Sequence, residues 1–249
     1  MAPALYPKAR NTRAFFMVPP EHPYSGNSST AMNAVTSSSP SLAAAAILSA
    51  AALAKLSEFD YVVVIDKSGS MAEPVKPGDT RSRYEAVQES ALGFARDVGK
   101  LDSDGIDVVM FSGSGIVSHT GVTADTVKDV FAQYQPRGGT PLAEALTEAL
   151  KLAGKSDKKD FIVVFTDGEP DDKAAAAKVI IDAANRQETD DALTILFVQV
   201  GDDAGATKFL RSLDDELTGA KFDIVDAKTV AEADAFPTTA HLILAAIED

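Results

Sequence analysis

From Phe59 onward the chain alternates two kinds of apolar pattern. The first is the short, near-continuous run, as in "VVVI" at 62–65, "IVVF" at 162–165 and "TILFVQV" at 194–200. Runs of β-branched and aromatic residues with no polar alternation read as strands covered on both faces, hence as a parallel sheet under helices. They predict strands at Asp60–Ile65, Asp107–Phe111, Ile116–His119, Phe161–Thr166, Leu193–Val200 and Phe222–Val225. Between them lie longer amphipathic stretches that predict helices. These are Ser82–Lys100, Ala124–Tyr134, Pro141–Ala153, Asp172–Arg186, Ala204–Leu217 and Val230–Ile247. "VVMFSGSGIVSH" folds back on itself around Gly113–Gly115, which predicts a hairpin and one antiparallel strand at a sheet edge.

The expected fold class is therefore α/β: a Rossmann-like, doubly wound, mostly parallel sheet with one antiparallel edge strand and helices on both faces. An extended N-terminal arm precedes it. Residues 1–40 are rich in Pro, Ser and Asn and show no sustained period, as loop material does. The alanine-rich stretch Leu42–Leu56 predicts a helix. The expected division is an arm at 1–57 and a domain at 58–249.

Charge sharpens that division. The net charge is −14 over 249 residues. Residues 1–57 hold Lys8, Arg10, Arg13 and Lys55 against Glu21 alone, a sum of +3, so the remainder carries −17. So acidic a surface excludes binding to nucleic acid or to an anionic membrane through the bulk of the domain. No apolar run reaches the length of a membrane span. Leu42–Leu56 lies too far from Met1 to be a signal-peptide core, so a cytoplasmic chain or a component of an assembled particle is expected over a secreted one. Cleavage of the arm as a targeting segment is the competing expectation. With no cysteine, disulfides, thiolate metal sites and cysteine nucleophiles are excluded. His22, His119 and His241 stand far apart and read as ordinary residues, not zinc ligands.

The candidate chemistry begins where the first strand stops. "YVVVIDKSGSM", Tyr61 to Met71, ends a buried run in Asp66, Ser68 and Ser70. "FIVVFTDGEP" ends a second run in Asp167. In an open parallel sheet ligands bind beyond the carboxyl ends of the strands, where strand order reverses. Two carboxylates placed there repel each other, and a cation relieves the repulsion. Asp66, Ser68 and Ser70 alternate along a turn that Gly69 permits, so their side chains can converge on one ion. Thr140, after Gly138 and Gly139 in "QPRGGTPLAEAL", is a further oxygen donor, expected to cap a helix that Pro141 begins. The donors are all hard oxygens, which suit Mg²⁺, Mn²⁺ or Ca²⁺ rather than zinc or copper. Each hydroxyl alone could merely cap a turn or helix. "LDSDGID" at 101–107 lacks calcium-loop spacing, and "EPDD" and "GDDAG" read as helix starts.

Taken together, Asp-x-Ser-x-Ser after the first strand, Gly-Gly-Thr-Pro-Leu, and Thr-Asp-Gly after a later strand resemble the metal-ion-dependent adhesion site of von Willebrand factor A domains. The resemblance runs from about Phe59 to Ile247 and leaves residues 1–57 uncovered. It implies that Ser68 and Ser70 ligate a Mg²⁺ directly, that Thr140 does so in one conformation, and that Asp66 and Asp167 act mainly through water. It also implies a protein partner that presents an Asp or Glu to the metal. The expected function is thus an adhesion or adaptor module, not an enzyme. Further subunits of an assembly such as a virion or injection-type particle would contact the arm. The alternatives are an adaptor subunit beside a separate AAA+ ATPase and a Mg²⁺-dependent hydrolase. No Walker phosphate loop is present, and no His or Lys motif accompanies Ser68 or Ser70 as a catalytic base would.

Overall fold

The structure is a computed structural model that describes residues 48–100 and 104–249. Six strands form one sheet: β1 (Phe59–Asp66), β2 (Ile106–Ser112), β3 (Gly115–Val122), β4 (Lys159–Thr166), β5 (Leu193–Gln199) and β6 (Val225–Thr229). Their order across the sheet is β3-β2-β1-β4-β5-β6. All neighbours are parallel except β2 and β3, whose antiparallel pairing closes the expected hairpin at one edge. The chain leaves β1 toward β2 and β3, then crosses to β4 on the other side of β1. Strand order therefore reverses between β1 and β4, and a crevice opens beyond their carboxyl ends.

Side-chain alternation along each strand feeds two cores. Tyr61, Val63 and Ile65 of β1 face the side covered by α2 (Arg83–Val98), α3 (Val127–Ala132) and α8 (Thr239–Ile247). Val62 and Val64 face the side covered by α4 (Leu142–Ala153), α5 (Lys173–Ala184) and α6 (Ala204–Asp215). Each of these β1 side chains is essentially sealed from water. Burial of a residue of this size stabilises by about 1.5–3 kcal/mol. A run that is apolar on both faces is therefore what a central strand of such a sheet demands, and β1 and β4 lie at its middle.

Helix starts follow local chemistry. The Ser82 hydroxyl accepts from the Glu85 amide at 3.1 Å, and the Glu85 carboxylate accepts from the Ser82 amide at 2.8 Å, a reciprocal cap that opens α2. Asp172 and Asp203 cap α5 and α6 in the same role, as "EPDD" and "GDDAG" suggested.

Two elements differ from expectation. The stretch Val230–Ile247 is not one helix: α7 (Val230–Ala233) ends before Pro237, and α8 restarts at Thr239 behind a Thr238 cap. Pro237 lacks an amide hydrogen and pushes Phe236 away from helical angles. The last strand is Val225–Thr229, not Phe222–Val225. It lies at the sheet edge, where polar residues are tolerated, and Asp226 there pairs with Lys228.

Ahead of the sheet, α1 (Ala50–Leu56) is the described part of the alanine-rich helix; residues 42–47 and the rest of the arm lie outside the described residues. Leu56 is wholly buried in the core, and its carbonyl accepts a hydrogen bond from the Tyr61 hydroxyl at 2.6 Å. Lys55 pairs with Glu248 at 3.0 Å.

Candidate metal centre

Asp66 is the last residue of β1, and its carboxylate is fully buried. One oxygen accepts the Ser68 amide at 2.7 Å. The other accepts the Thr166 hydroxyl at 2.7 Å from the end of β4. Burial pushes the Asp66 carboxyl up to about 6, against the pull of the Thr166 and Ser68 hydrogen bonds and with a smaller push from the Asp167 charge. A carboxylate in that position favours any neighbour that stabilises its negative charge.

Asp167, one residue past β4, is the second buried carboxylate. The Ser70 hydroxyl donates to it at 2.9 Å, and the Ser68 and Ser70 hydroxyls stand 3.2 Å apart. Asp66, Ser68, Ser70 and Asp167 thus form one continuous polar chain across the crevice between β1 and β4. Ser68 opens the short 3₁₀ turn Gly69–Ala72, yet its hydroxyl makes no capping bond there.

The Gly-Gly-Thr loop is fastened over this chain. The Gly69 amide donates to the Gly138 carbonyl at 2.9 Å, and the Arg137 amide donates to the Lys67 carbonyl at 2.8 Å. Gly138 has a φ of +85°, a left-handed conformation that a side chain would strain. A Cβ at Gly139 would fall 2.7 Å from the Asp171 carboxylate. That carboxylate accepts the Thr140 amide at 3.0 Å, and the Asp171 amide donates to the Thr140 carbonyl at 3.0 Å. Thr140 is buried.

Thr140 does not cap α4. The position before the helix is Pro141, with no side-chain cap, and the helix starts at Leu142. The Thr140 backbone is committed to Asp171 and to the Leu142 amide, which holds it one residue too early to cap. Its hydroxyl takes part in no hydrogen bond among the described residues, so it is not linked to the chain of the other four.

Four supporting residues escaped the sequence reading. Thr166 buttresses Asp66. Asp171 anchors the Gly-Gly-Thr loop, although "EPDD" read only as a helix start. Arg83 at the head of α2 places Nη1 2.6 Å from the Asp167 carboxylate. Lys67, inside the motif itself, is buried, and its Nζ donates to the Ser112 and Ser114 hydroxyls at 2.9 and 3.2 Å and to the Gly115 carbonyl at 3.1 Å. Burial, and then the Arg137 charge, lower the Lys67 pKa. That anchor ties the motif loop to the β2–β3 hairpin. Only Thr166 had a visible signal, a hydroxyl at a strand end beside a carboxylate. The others are brought in by chain segments whose positions only the fold defines.

Two histidines are accounted for away from this site. His119 bonds the Tyr134 hydroxyl at 2.9 Å, and His241 bonds the Thr238 hydroxyl at 2.8 Å. His22 lies outside the described residues.

The donor set fits a hard divalent cation. It offers two carboxylates and three hydroxyls, with no imidazole or thiolate. Ser68 and Thr140 stand beside helical turns and cap neither, and two carboxylates are buried at the crossover of the sheet.

No curated protein matches the chain in sequence. The family model for the von Willebrand factor type A domain matches residues 61–169, a segment that contains all five candidate residues. Among solved structures, a point mutant of the PilB minor pilin from Streptococcus sanguinis is similar at 12% identity and a TM-score of 0.53, over 76% of this chain and 60% of that one. The open conformation of the pilus adhesin SpaC from Lactobacillus rhamnosus GG is similar at 16% identity and a TM-score of 0.51, over 76% of this chain but 30% of that one. The manganese-loaded TRAP protein of Plasmodium vivax aligns at 17% identity with a TM-score of 0.49, over 72% of each chain. This chain thus spans less than two thirds of either pilus protein. Residues 61–169 match the von Willebrand factor type A domain family, and the six-stranded fold is built around them.

Proposed function

We propose that this chain is a metal-dependent protein-binding module, not an enzyme. Asp66, Ser68, Ser70, Thr140 and Asp167 would hold one divalent cation, Mg²⁺ first and Mn²⁺ or Ca²⁺ as alternatives. When bound, that cation supplies a positive centre for an Asp or Glu side chain of a protein partner. The observation that carries this reading is the polar chain Asp66–Ser68–Ser70–Asp167 in the crevice between β1 and β4. Its hydroxyls bond each other and Asp167, capping no helix, and its carboxylates are too deeply buried to be surface charges.

The roles divide by charge and reach. Asp66 and Asp167 supply negative potential from beneath. Ser68 and Ser70 supply neutral oxygens between them. Thr140, with its hydroxyl free, is suited to ligate in the engaged state. Lys67 and Asp171 hold the two loops in register, so the donors are preorganised by the fold.

Isothermal titration with Mg²⁺ and Mn²⁺, paired with melting in EDTA and in saturating cation, tests the reading. We expect saturable one-site binding and a raised melting temperature. No heat of binding together with an unchanged melt would sink it.

The arm is assigned a second duty, docking to further subunits of an assembly such as a virion or injection-type particle. Opposite charge to the domain and apolar anchors such as Phe15, Phe16 and Met17 among prolines support this. Because Leu56 belongs to the core, a truncation that tests it should begin at residue 48, not at Ser57. The shortened chain should fold and bind cation yet fail to join its native complex. Among the described residues no helix is long and apolar enough to cross a membrane.

A further inference from the structure

We propose that Arg83 is a specificity-determining residue of this site: by pairing with Asp167 it weakens the hold on the cation and strengthens the capture of an acidic ligand. The inference rests on the metal-dependent reading above and concerns how the charge of that site is set.

Arg83 reaches the site by construction. It is the first residue of α2, and the loop before it is pinched closed where its amide donates to the Glu73 carbonyl at 2.8 Å. Its Nη1 lies 2.6 Å from an Asp167 oxygen, 3.3 Å from a Glu73 oxygen and 3.4 Å from the Ser70 carbonyl. The Arg83 side chain is 13% exposed, and that of Asp167 is 0%. The Nε of Arg83 is buried without a hydrogen-bond partner. It lies against Gly201, where a Cβ would come within 2.9 Å. A buried N–H left unpaired is costly. The fold accepts that cost, and what it obtains is the Nη1 contact with Asp167.

The consequence is arithmetic of charge. Asp66 and Asp167 together would cancel a divalent cation. The Arg83 guanidinium adds one positive charge, so the site with its cation keeps a net positive charge. Glu73 offsets little of this, because its side chain is 64% exposed and its charge is screened by water.

The surroundings need that surplus. A cleft of about 720 Å³ opens beside Ser70 and Asp167, and Glu73, Glu169, Asp202 and Asp203 also line it. Among its described lining residues Arg83 is the only cation. An acidic ligand approaching this cleft meets four carboxylates at its walls besides Asp167. Lys67 and Asp171, on the two loops beside the site, offset each other, so without Arg83 the bound ion would be neutralised and the approach repulsive.

The test uses the full chain as wild type, Arg83→Gln and Arg83→Lys. Mn²⁺ affinity is read by calorimetry. Acetate capture at saturating Mn²⁺ is read by paramagnetic relaxation of ¹³C-acetate. Removal of one unit charge a few ångströms away should tighten Mn²⁺ binding in Arg83→Gln by about tenfold or more and weaken acetate capture by a similar factor. Arg83→Lys keeps the charge and should stay close to wild type in both. A merely structural role would lower both affinities together, and that outcome overturns the proposal. So does an Arg83→Gln protein indistinguishable from wild type, or one that stays unfolded in saturating Mn²⁺. If wild type itself binds no Mn²⁺, the metal reading fails and this inference falls with it. If wild type binds Mn²⁺ and acetate while Arg83→Gln matches it, the role of Arg83 alone is lost.

Discussion

β1 and β4 carry acidic residues at both ends, and the two ends are treated differently. At the carboxyl end, Asp66 and Asp167 are buried, and each carboxylate oxygen meets a donor: a backbone amide, a threonine, a serine or an arginine. At the amino end, Asp60 and Asp160 are direct neighbours in the register of the two strands. There Asp60 is paired with Lys158 at 3.1 Å and Ser156 at 2.5 Å, but one Asp160 oxygen is buried with no partner. Among the described residues no glycine-rich loop folds over this end and no row of hydroxyls crosses it. On the proposed reading, the contrast separates a carboxylate pair that would receive a cation from one whose burial favours taking up a proton. Proximity of two acids is common to both; ordered neutral donors between them are found at one end only.

The largest effect should come from the organised end. At a cation concentration a hundredfold above the dissociation constant, binding should stabilise the wild-type fold by about 2.7 kcal/mol. Asp66→Ala should remove that gain entirely while the cation-free protein stays folded. Its cation-free stability should match or exceed wild type, since a buried acid that resists ionisation is gone. Asp160→Ala should leave the cation-induced gain intact. Thermal melts of the three proteins in EDTA and in Mn²⁺ decide this, and a gain lost equally in both variants would erase the distinction between the ends.

A smaller effect should separate the two loops of the site. Thr140→Ala should weaken acetate capture at saturating Mn²⁺ by about tenfold, which is about 1.4 kcal/mol, and change Mn²⁺ affinity far less. The Thr140 backbone already holds Asp171, so the cation-free fold should not notice the loss of a hydroxyl that bonds nothing. A variant that loses cation and acetate equally would assign Thr140 a constant place in the coordination shell.

How much of this was legible follows from distance along the chain. The strands of the sheet centre were plain, because burial on both faces writes the same apolar run whatever the neighbours are. Asp66, Ser68 and Ser70 were legible as a group because one turn contains them. Thr140 and Asp167 could be joined to them because one follows a pair of glycines just ahead of a helix and the other stands at a strand end. Arg83 and Asp171 were not legible. Nothing in "RSRYEA" says that a guanidinium will cross to Asp167, since that contact spans 84 residues and depends on how the loop before α2 closes. The break at Pro237 had a local signal that the strong apolar content of Val230–Ile247 overrode. The last strand was misplaced because an edge strand with polar residues at Asp226 and Lys228 does not look like its buried neighbours.

The smallest effect lies at the unorganised end and depends on pH. Burial, and then the charge of Asp60, raise the Asp160 carboxyl from its ordinary value of 3.8 to about 7. The neighbouring lysines do not relieve it: Lys158 turns to Asp60, and Lys159 pairs with Asp191 at 2.5 Å and Glu58 at 3.2 Å. The folded state therefore keeps this proton to a higher pH than the unfolded chain does. Between about pH 4 and pH 7 folding carries an added proton, so the contribution of Asp160 to stability is most favourable at the low end and is lost as pH rises to about 7. Asp160→Asn mimics the protonated acid at every pH. Part of the carboxyl still meets water, so screening trims the difference to about 1 kcal/mol at pH 8. Urea unfolding of both proteins at several pH values should give curves that coincide near pH 4 and separate toward pH 8, with Asp160→Asn the more stable. Should wild type instead gain on the variant as pH rises, Asp160 must be stabilised as an anion, and the amino end of the sheet would hold a second organised charge site.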